Sequence, residues 1–352
     1  MKIACLIFGL LGLLFPIHYS HSNELKIGTY NIWYGLDGGG TLKLGERETS
    51  ADREERYKKV FHSFGEMRLD LLAIQELNFS GVSSEIPKIE NSDSFHQFYL
   101  TGVRIFGFGI PLNMVVSLSS YLAKPLKPEE LGCEKLPGSV SGFSGRWFSF
   151  QTDINYYLCF FEFDFQGRRS LFGNTHLAFA IPKGDSFLKG GISSLDSTSK
   201  ASVERKQVML EEQIDYLAKR LNELKAKYDL VILAGDLNIT QTSEQFKRLL
   251  SSTGFTDLFS VEIGPTWDPK ENRIAMKGDG SSTYADGTPE KGVDLVTSKY
   301  DLSVPRKIDH IIFYSKNGNC RSGSSSRRIF NGDREEILSD HFGVMGTLTC
   351  AK

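Results

Sequence analysis

The ten residues Val231-Ile232-Leu233-Ala234-Gly235-Asp236-Leu237-Asn238-Ile239-Thr240 constrain this chain more than any other stretch. A short apolar run bounded by turn signals reads as a strand buried on both faces. Gly235 ends that strand or lets the backbone turn tightly. Asp236 and Asn238 then stand at the rim of a sheet, held by a rigid strand and open to a ligand. Taken alone, the stretch is a strand followed by an Asx-type turn, because Asp and Asn bond locally to the backbone. Its weight comes from recurrence of the same event elsewhere.

Leu25–Asn31 alternates like a strand and ends on Asn31. Leu71–Glu76 is a second buried strand ending on Glu76, and Arg169–His176 a third ending on His176. Two later strands begin on polar groups. Lys307–Tyr314 carries Asp309, and Asp340-His341 open the run Phe342–Thr349. If the last two run opposite to the first four, all six ends meet at one edge of a mixed sheet. Function commonly sits on such an edge.

Between these strands, Arg53–Met67 has helical apolar spacing, and a short helix ends at Leu250. Val203–Tyr228 is the clearest helix, with Leu210, Ile214, Leu217, Leu221 and Leu224 forming one packing stripe. Val103–Leu122 reads as one or two strands. Its Phe106–Ile110 is better explained by a core or edge strand than by a membrane-touching loop. Trp147–Phe165 reads as a hairpin. Gly35–Gly45, Ala180–Lys200, Met276–Pro305 and Arg321–Gly332 read as loops, the last exposed. The glycine-rich stretch lacks phosphate-loop spacing. There is no internal repeat and no dividing linker, so residues 23–352 are expected to form one domain.

Residues 1–22 read as a secretory signal peptide, with Lys2, an apolar run from Ile3 to Ile17 and a small polar end at Ser22. No clean small-x-small cleavage site is present, and an uncleaved anchor is the alternative. Cys5 is removed on the first reading. The chain is therefore expected to be secreted or periplasmic. Cys133, Cys159, Cys320 and Cys350 remain, and an even count in an exported chain permits two disulfides with three connectivities. Cys320 and Cys350 flank the last two strands, which favours that pair and Cys133 with Cys159; free buried thiols are the alternative. No close Cys or His pair has zinc-ligand spacing. Formal net charge is -2 and no basic block stands out, so a broad electrostatic grip on nucleic acid is not supported.

The polar ends have a shared chemistry. Asn31, Glu76, Asp236, Asn238 and Asp340 offer hard oxygen, which suits Mg²⁺, Mn²⁺ or Ca²⁺. Clustered carboxylates with two histidines suggest metal-assisted hydrolysis of a phosphate ester. His341 would take a proton from water, His176 would donate to a phosphoryl oxygen, and Asp309 would orient an imidazole. That scheme needs His341 neutral and His176 protonated, and predicts a bell-shaped pH–rate profile. His310 points to the opposite face of its strand and is structural. His62 and His96 lie away from the ends.

The order Tyr30-Asn31, Gln75-Glu76, Asn174-Thr175-His176, Gly235-Asp236-Leu237-Asn238, Ile308-Asp309-His310 and Ser339-Asp340-His341 resembles the endonuclease/exonuclease/phosphatase superfamily. That family includes DNase I, AP endonucleases, inositol-polyphosphate phosphatases and neutral sphingomyelinases. The resemblance implies an α/β (α+β) fold, a four-layered sandwich of two mixed sheets flanked by helices. It implies Glu76 as principal Mg²⁺ ligand, with Asn31 assisting and Asp340 near the metal. Asp236 and Asn238 would hold the attacking water and a phosphate oxygen. His176 would stabilise the transition state, and Asp309–His341 would be the base dyad.

His176, where AP endonucleases carry tyrosine, resembles the DNase I and sphingomyelinase side, and Leu77-Asn78-Phe79 lacks the AP-endonuclease lysine. Thr266-Trp267-Asp268-Pro269, Asn272 and Ala275 are similar to a stretch of bacterial sphingomyelinases. The polar Met276–Pro305 lacks the apolar hairpin of hemolytic members. The branch implied is an exported, Mg²⁺-dependent phosphodiesterase of sphingomyelinase or phospholipase C type. Its substrate would be a phosphodiester, with a lipid head group favoured over nucleic acid. Peripheral membrane contact would accompany it, and no obligate protein partner is expected. The alternatives are a secreted DNase I-like endonuclease, a phosphomonoesterase, or a binding protein that lost catalysis.

Overall fold

A computed structural model describes residues 23–33, 48–76, 96–105, 108–117, 133–138, 141–144, 149–152, 156–180, 197–259, 263–276 and 304–351. The signal segment, Gly35–Gly45, Leu77-Asn78-Phe79 and most of Ala180–Lys200 and Met276–Pro305 lie outside the described residues.

In chain order the elements are β1 (Glu24–Asn31), α1 (Ser50–Met67), β2 (Leu71–Gln75), β3 (His96–Ile105), β4 (Phe108–Ser117), β5 (Cys133–Lys135), β6 (Ser141–Ser144) and β7 (Ser149–Thr152). They continue with β8 (Tyr157–Phe165), β9 (Arg168–His176), α2 (Ser197–Lys225), β10 (Leu230–Asp236), α3 (Glu244–Thr253), β11 (Thr256–Asp257), α4 (Arg273–Met276), β12 (Asp309–Ser315), β13 (Cys320–Ile329) and β14 (Gly343–Cys350). The first sheet runs β13-β14-β1-β2-β4-β3 and the second β11-β12-β10-β9-β8-β5, with β6 and β7 forming a separate ladder. Both large sheets mix parallel and antiparallel pairs.

Alternation along each strand sorts the core into layers. Leu25, Ile27, Leu71 and Val344 of the first sheet meet Phe161, Phe172, Ile232, Ala234 and Ile311 of the second. The intervening β10 residues Val231 and Leu233 face outward, onto Leu210, Ile214, Leu217 and Leu221 of α2 and Phe246 of α3. Tyr30, Leu72 and Ile74 pack outward on Tyr57, Val60, Phe61 and Phe64 of α1. This is why the body of β10 is apolar on both faces, and it gives the four-layered α/β sandwich of two mixed sheets flanked by helices. The helix ends are set by local bonds. Thr49 accepts from the Asp52 amide at the start of α1, and Ser243 from the Phe246 amide at the start of α3.

Two local expectations are corrected. Arg321–Gly332 is not an exposed loop: Cys320–Ile329 pairs with β14, with a register shift between Ser322 and Ser326. Its serines and glycine have poor strand propensity, but the backbone ladder and the Cys320–Cys350 disulfide impose the pairing. Trp147–Phe165 is not one hairpin, because β7 pairs with the upstream β6 and β8 with β9. His310 is structural as expected. Its Nε2 lies 2.9 Å from the Ile239 carbonyl, its ring stacks on Phe246, and burial pushes it down to about 4.

Candidate active site

The six polar ends do meet, but across two sheets rather than along one edge. In the first sheet β1 and β2 are parallel with Asn31 opposite Gln75, so Glu76 follows at the same end. The antiparallel β14 starts just after Asp340-His341 and returns them to that end. In the second sheet Asp236 pairs with both His176 and Asp309, which places all three on one row. Gly235 lies inside β10 rather than ending it. Its φ is 151°, and a Cβ there would stand 1.9 Å from the Thr175 carbonyl oxygen, so only glycine allows β9 and β10 to bring this row together. Glu76 and Asn238 adopt left-handed backbone, φ 58° and 52°, a strain that concentrates at functional positions.

The side chains converge. Asn31 Nδ2 donates to Glu76 Oε1 at 2.9 Å and Asp236 Oδ2 at 3.1 Å, joining the two sheets. His176 Nε2 is 3.6 Å from Asp236 Oδ2 and 3.9 Å from Glu76 Oε1. His341 Nδ1 is 2.9 Å from Asp309 Oδ2, and its Nε2 is 3.8 Å from Asp236 Oδ2. Asn238 donates from its backbone to Asp236 Oδ1 and from Nδ2 to the Leu177 carbonyl. Asp340, half-buried beside Ser339, contributes its charge to Glu76, His176 and His341. All eight residues expected from sequence are therefore at one place.

Their order and spacing are also those of a known family. The sequence matches the Endonuclease/Exonuclease/phosphatase family over residues 28–341. The chain belongs to that family. A stretch of 82 residues is 29% identical to a Phospholipase C of Staphylococcus aureus, covering 23% of this chain and 23% of that protein. The chain thus matches under a quarter of the length of the curated relatives. Among solved structures, a family protein from Leptotrichia buccalis is 16% identical with TM-score 0.53, over 92% of this chain and 98% of that one. TDP2 from D. rerio, complexed with single strand DNA product, is 17% identical with TM-score 0.51, over 92% and 98%. These two likenesses establish the fold.

The electrostatics of this family site depart from the sequence expectation for the histidines. Burial pushes His176 down despite the anion of Glu76, a direction that favours its neutral imidazole. Burial also opposes charge on His341, but Asp309, through charge and hydrogen bond, with Asp340 and Asp236, holds it well above the usual histidine range. These directions favour a neutral His176 and a protonated His341, the reverse of the charge states that the bell-shaped profile requires. Burial raises Glu76, and burial followed by the charge of Asp309 pushes Asp236 up to about 7.

These carboxylates fit a divalent cation. Asp236 has no Lys or Arg partner among the described residues. A cation would offset the charge that burial makes costly. Asp236, Asp309 and His341 also offer three ligand atoms within 4.8 Å of one another. In that group Asp309 Oδ2 and His341 Nδ1 already bind each other, so the trio is better suited to moving a proton. The hard oxygens of Asn31, Glu76 and Asp340 better suit a metal of the Mg²⁺ type.

Three contributors lay inside quoted motifs without a role assigned to them. Gln75 Nε2 donates to Asn174 Oδ1 at 2.7 Å, tying the sheets directly behind the site. Thr266 Oγ1 accepts from the Ile308 and Asp309 amides, and the Thr266 carbonyl accepts from Phe342 N, so one residue holds both halves of the Asp309–His341 pair. Asn272 Nδ2 donates to the Ser339 carbonyl. Tyr156 had no signal at all. Its ring meets His176 edge-on at 6.3 Å, and burial, with Glu76 and Asp236, pushes its phenol up to about 12.

Proposed function

We propose that the protein is an exported, Mg²⁺-dependent phosphodiesterase of sphingomyelinase or phospholipase C type that releases a phosphorylated head group at a membrane surface. The observation that carries the reaction class is the convergence of Glu76, Asp236, His176 and the Asp309–His341 pair within 4 Å contacts of one another. The Phospholipase C likeness supports the lipid branch.

Glu76, with Asn31 and Asp340, would hold Mg²⁺, which would supply positive charge beside the phosphate. The chain's own residues do the rest. Asp309 accepts from His341 Nδ1–H, which leaves Nε2 to take the proton of the attacking water. Asp236 and Asn238 orient that water and a phosphate oxygen. The water oxygen bonds to phosphorus as the phosphorus–oxygen bond to the leaving group breaks, and the departing alkoxide takes a proton from solvent. Neutral His176 donates a hydrogen bond to a phosphoryl oxygen as negative charge grows there.

A secreted nuclease on the same scaffold is the second reading, favoured by the likeness to TDP2 captured with a DNA product. A panel of sphingomyelin, lysophospholipid, DNA and inositol phosphates, each with Mg²⁺ and with EDTA, decides between them. Metal-dependent turnover of the lipids alone is expected. Turnover of DNA alone would establish the second reading, and no EDTA-sensitive turnover of any phosphodiester would defeat both.

A further inference from the structure

Arg56 of α1 is buried, yet nothing in the reaction uses it. Its guanidinium is spent on backbone. Nη1 donates to the Ile32 carbonyl and, at 3.1 Å, to the Leu338 carbonyl, and Nη2 donates to the Trp33 carbonyl at 2.8 Å. Nε and Nη2 also hold the Glu48 carboxylate, which Arg53 shares, and the planar group lies over the rings of Trp33 and Tyr57. Ile32 follows Asn31 directly, and Leu338 stands two residues before Asp340. One side chain therefore grips both segments that carry these two residues. Ser339 adds a second tie between the same segments, donating from Oγ to the Asn31 carbonyl at 2.7 Å.

A planar fork with five N–H donors can hold several carbonyls in fixed geometry, and a lysine ammonium cannot. The cost of burying that charge is offset by Glu48 and the carbonyl dipoles. A carboxylate and a carboxamide that must meet one cation need their backbones held to a fraction of an ångström, and both segments here follow or precede a strand and are otherwise loop.

We propose that Arg56 is a positioning residue for metal binding: by pinning the backbone after Asn31 to the backbone before Asp340, it sets the spacing of the oxygen ligands on the first sheet. The inference rests on the metal reading given above, and the test separates the two. Mn²⁺ is titrated into the full chain and followed by the loss of its free-ion electron paramagnetic resonance signal, with Mg²⁺ as competitor. Wild type binds, and Mg²⁺ displaces the Mn²⁺. Arg56→Lys binds about tenfold more weakly, the scale for groups that orient metal ligands. Ser339→Ala, which removes the bond to the Asn31 carbonyl and the 3.2 Å bond to Asp340 Oδ1, binds a few-fold more weakly. Leu221→Ala, in the α2 core away from the site, loses thermal stability but keeps wild-type Mn²⁺ affinity.

Wild-type affinity in Arg56→Lys would overturn the inference while leaving the metal reading intact. If Arg56→Lys does not fold, undiminished affinity in Ser339→Ala overturns it instead. An equal loss in Leu221→Ala would overturn it as well, by showing that affinity follows global stability. Absence of Mn²⁺ binding to wild type would defeat the metal reading, and with it this proposal.

Discussion

The two sheets contribute different chemistry to one site. The first supplies Asn31, Glu76 and Asp340, oxygen groups suited to a hard cation. The second supplies His176, Asp236 and Asn238 on or next to a single row of paired strands, suited to holding water, phosphate and protons. The Asp309–His341 pair crosses between them, the aspartate on the second sheet and the histidine on the first. On the proposed roles, metal binding and proton transfer should respond to different substitutions, although Asn31–Asp236 and His341–Asp309 link the two sheets.

The sharpest test of that division is Asp309→Asn. Removing the anion beside His341 should cost on the order of 10⁴ in kcat, the scale for an aspartate that orients a catalytic imidazole, with Mn²⁺ affinity unchanged. Affinity that falls in parallel with kcat would merge the two roles. On the first sheet, Glu76→Gln should lose roughly 10³ in rate, as for removal of a principal charge stabiliser, together with metal affinity. Burial raises Glu76, so its carboxylate is costly in the folded chain, and in EDTA the glutamine variant should melt no lower than wild type. A lower melting point in EDTA would make Glu76 a structural group.

Each sheet also has a cysteine pair on neighbouring strands. Cys320 and Cys350 form a disulfide across β13 and β14 with a sequence separation of 30. Cys320→Ser should destabilise by about 3–4 kcal/mol under non-reducing conditions, following chain entropy, as read by denaturant titration. On the second sheet, Cys133 stands opposite Cys159 in the β5·β8 register, so non-reducing peptide mapping should recover that pair as well. Two free thiols there in protein from an oxidising compartment would leave only the first sheet cross-linked.

The acid–base behaviour sharpens the contrast further. Activity should rise along one acidic limb centred above the ordinary histidine range, because Asp309, Asp340 and Asp236 hold the proton on His341. His176→Gln should cost about 10²-fold, the low end for general acid–base groups, without moving that limb. A basic limb that vanishes in His176→Gln would restore its protonated role. Asp236 binds its proton more tightly folded, near pH 7, than unfolded, near 3.8. Its contribution to stability in EDTA is therefore full below about pH 4 and is lost as pH rises towards 7. Divalent metal should then raise the melting temperature more at pH 8 than at pH 5. The smallest effect is expected from Thr266→Val. Removing a hydroxyl that accepts two buried amides should cost about 1–3 kcal/mol and lower kcat more than metal affinity, with Thr266→Ser recovering both.

The primary sequence by itself determined that short apolar strands end on Asn31, Glu76, His176 and Asp236, that two others begin near Asp309 and Asp340, and which family this order belongs to. Those features are local: a strand buried on both faces must be apolar throughout, and a polar group at its end is visible as the break in that run. Only the tertiary structure decided the rest. Which ends share a sheet depends on strand pairing, and β13 shows that pairing and a cross-link can make a strand of serines and arginines. Gln75 with Asn174, Thr266 and Arg56 act between segments far apart in the chain, so no spacing rule could reveal them. The charge states of His176 and His341 were likewise out of reach, since burial and the carboxylates brought around each imidazole act through space and in opposite senses.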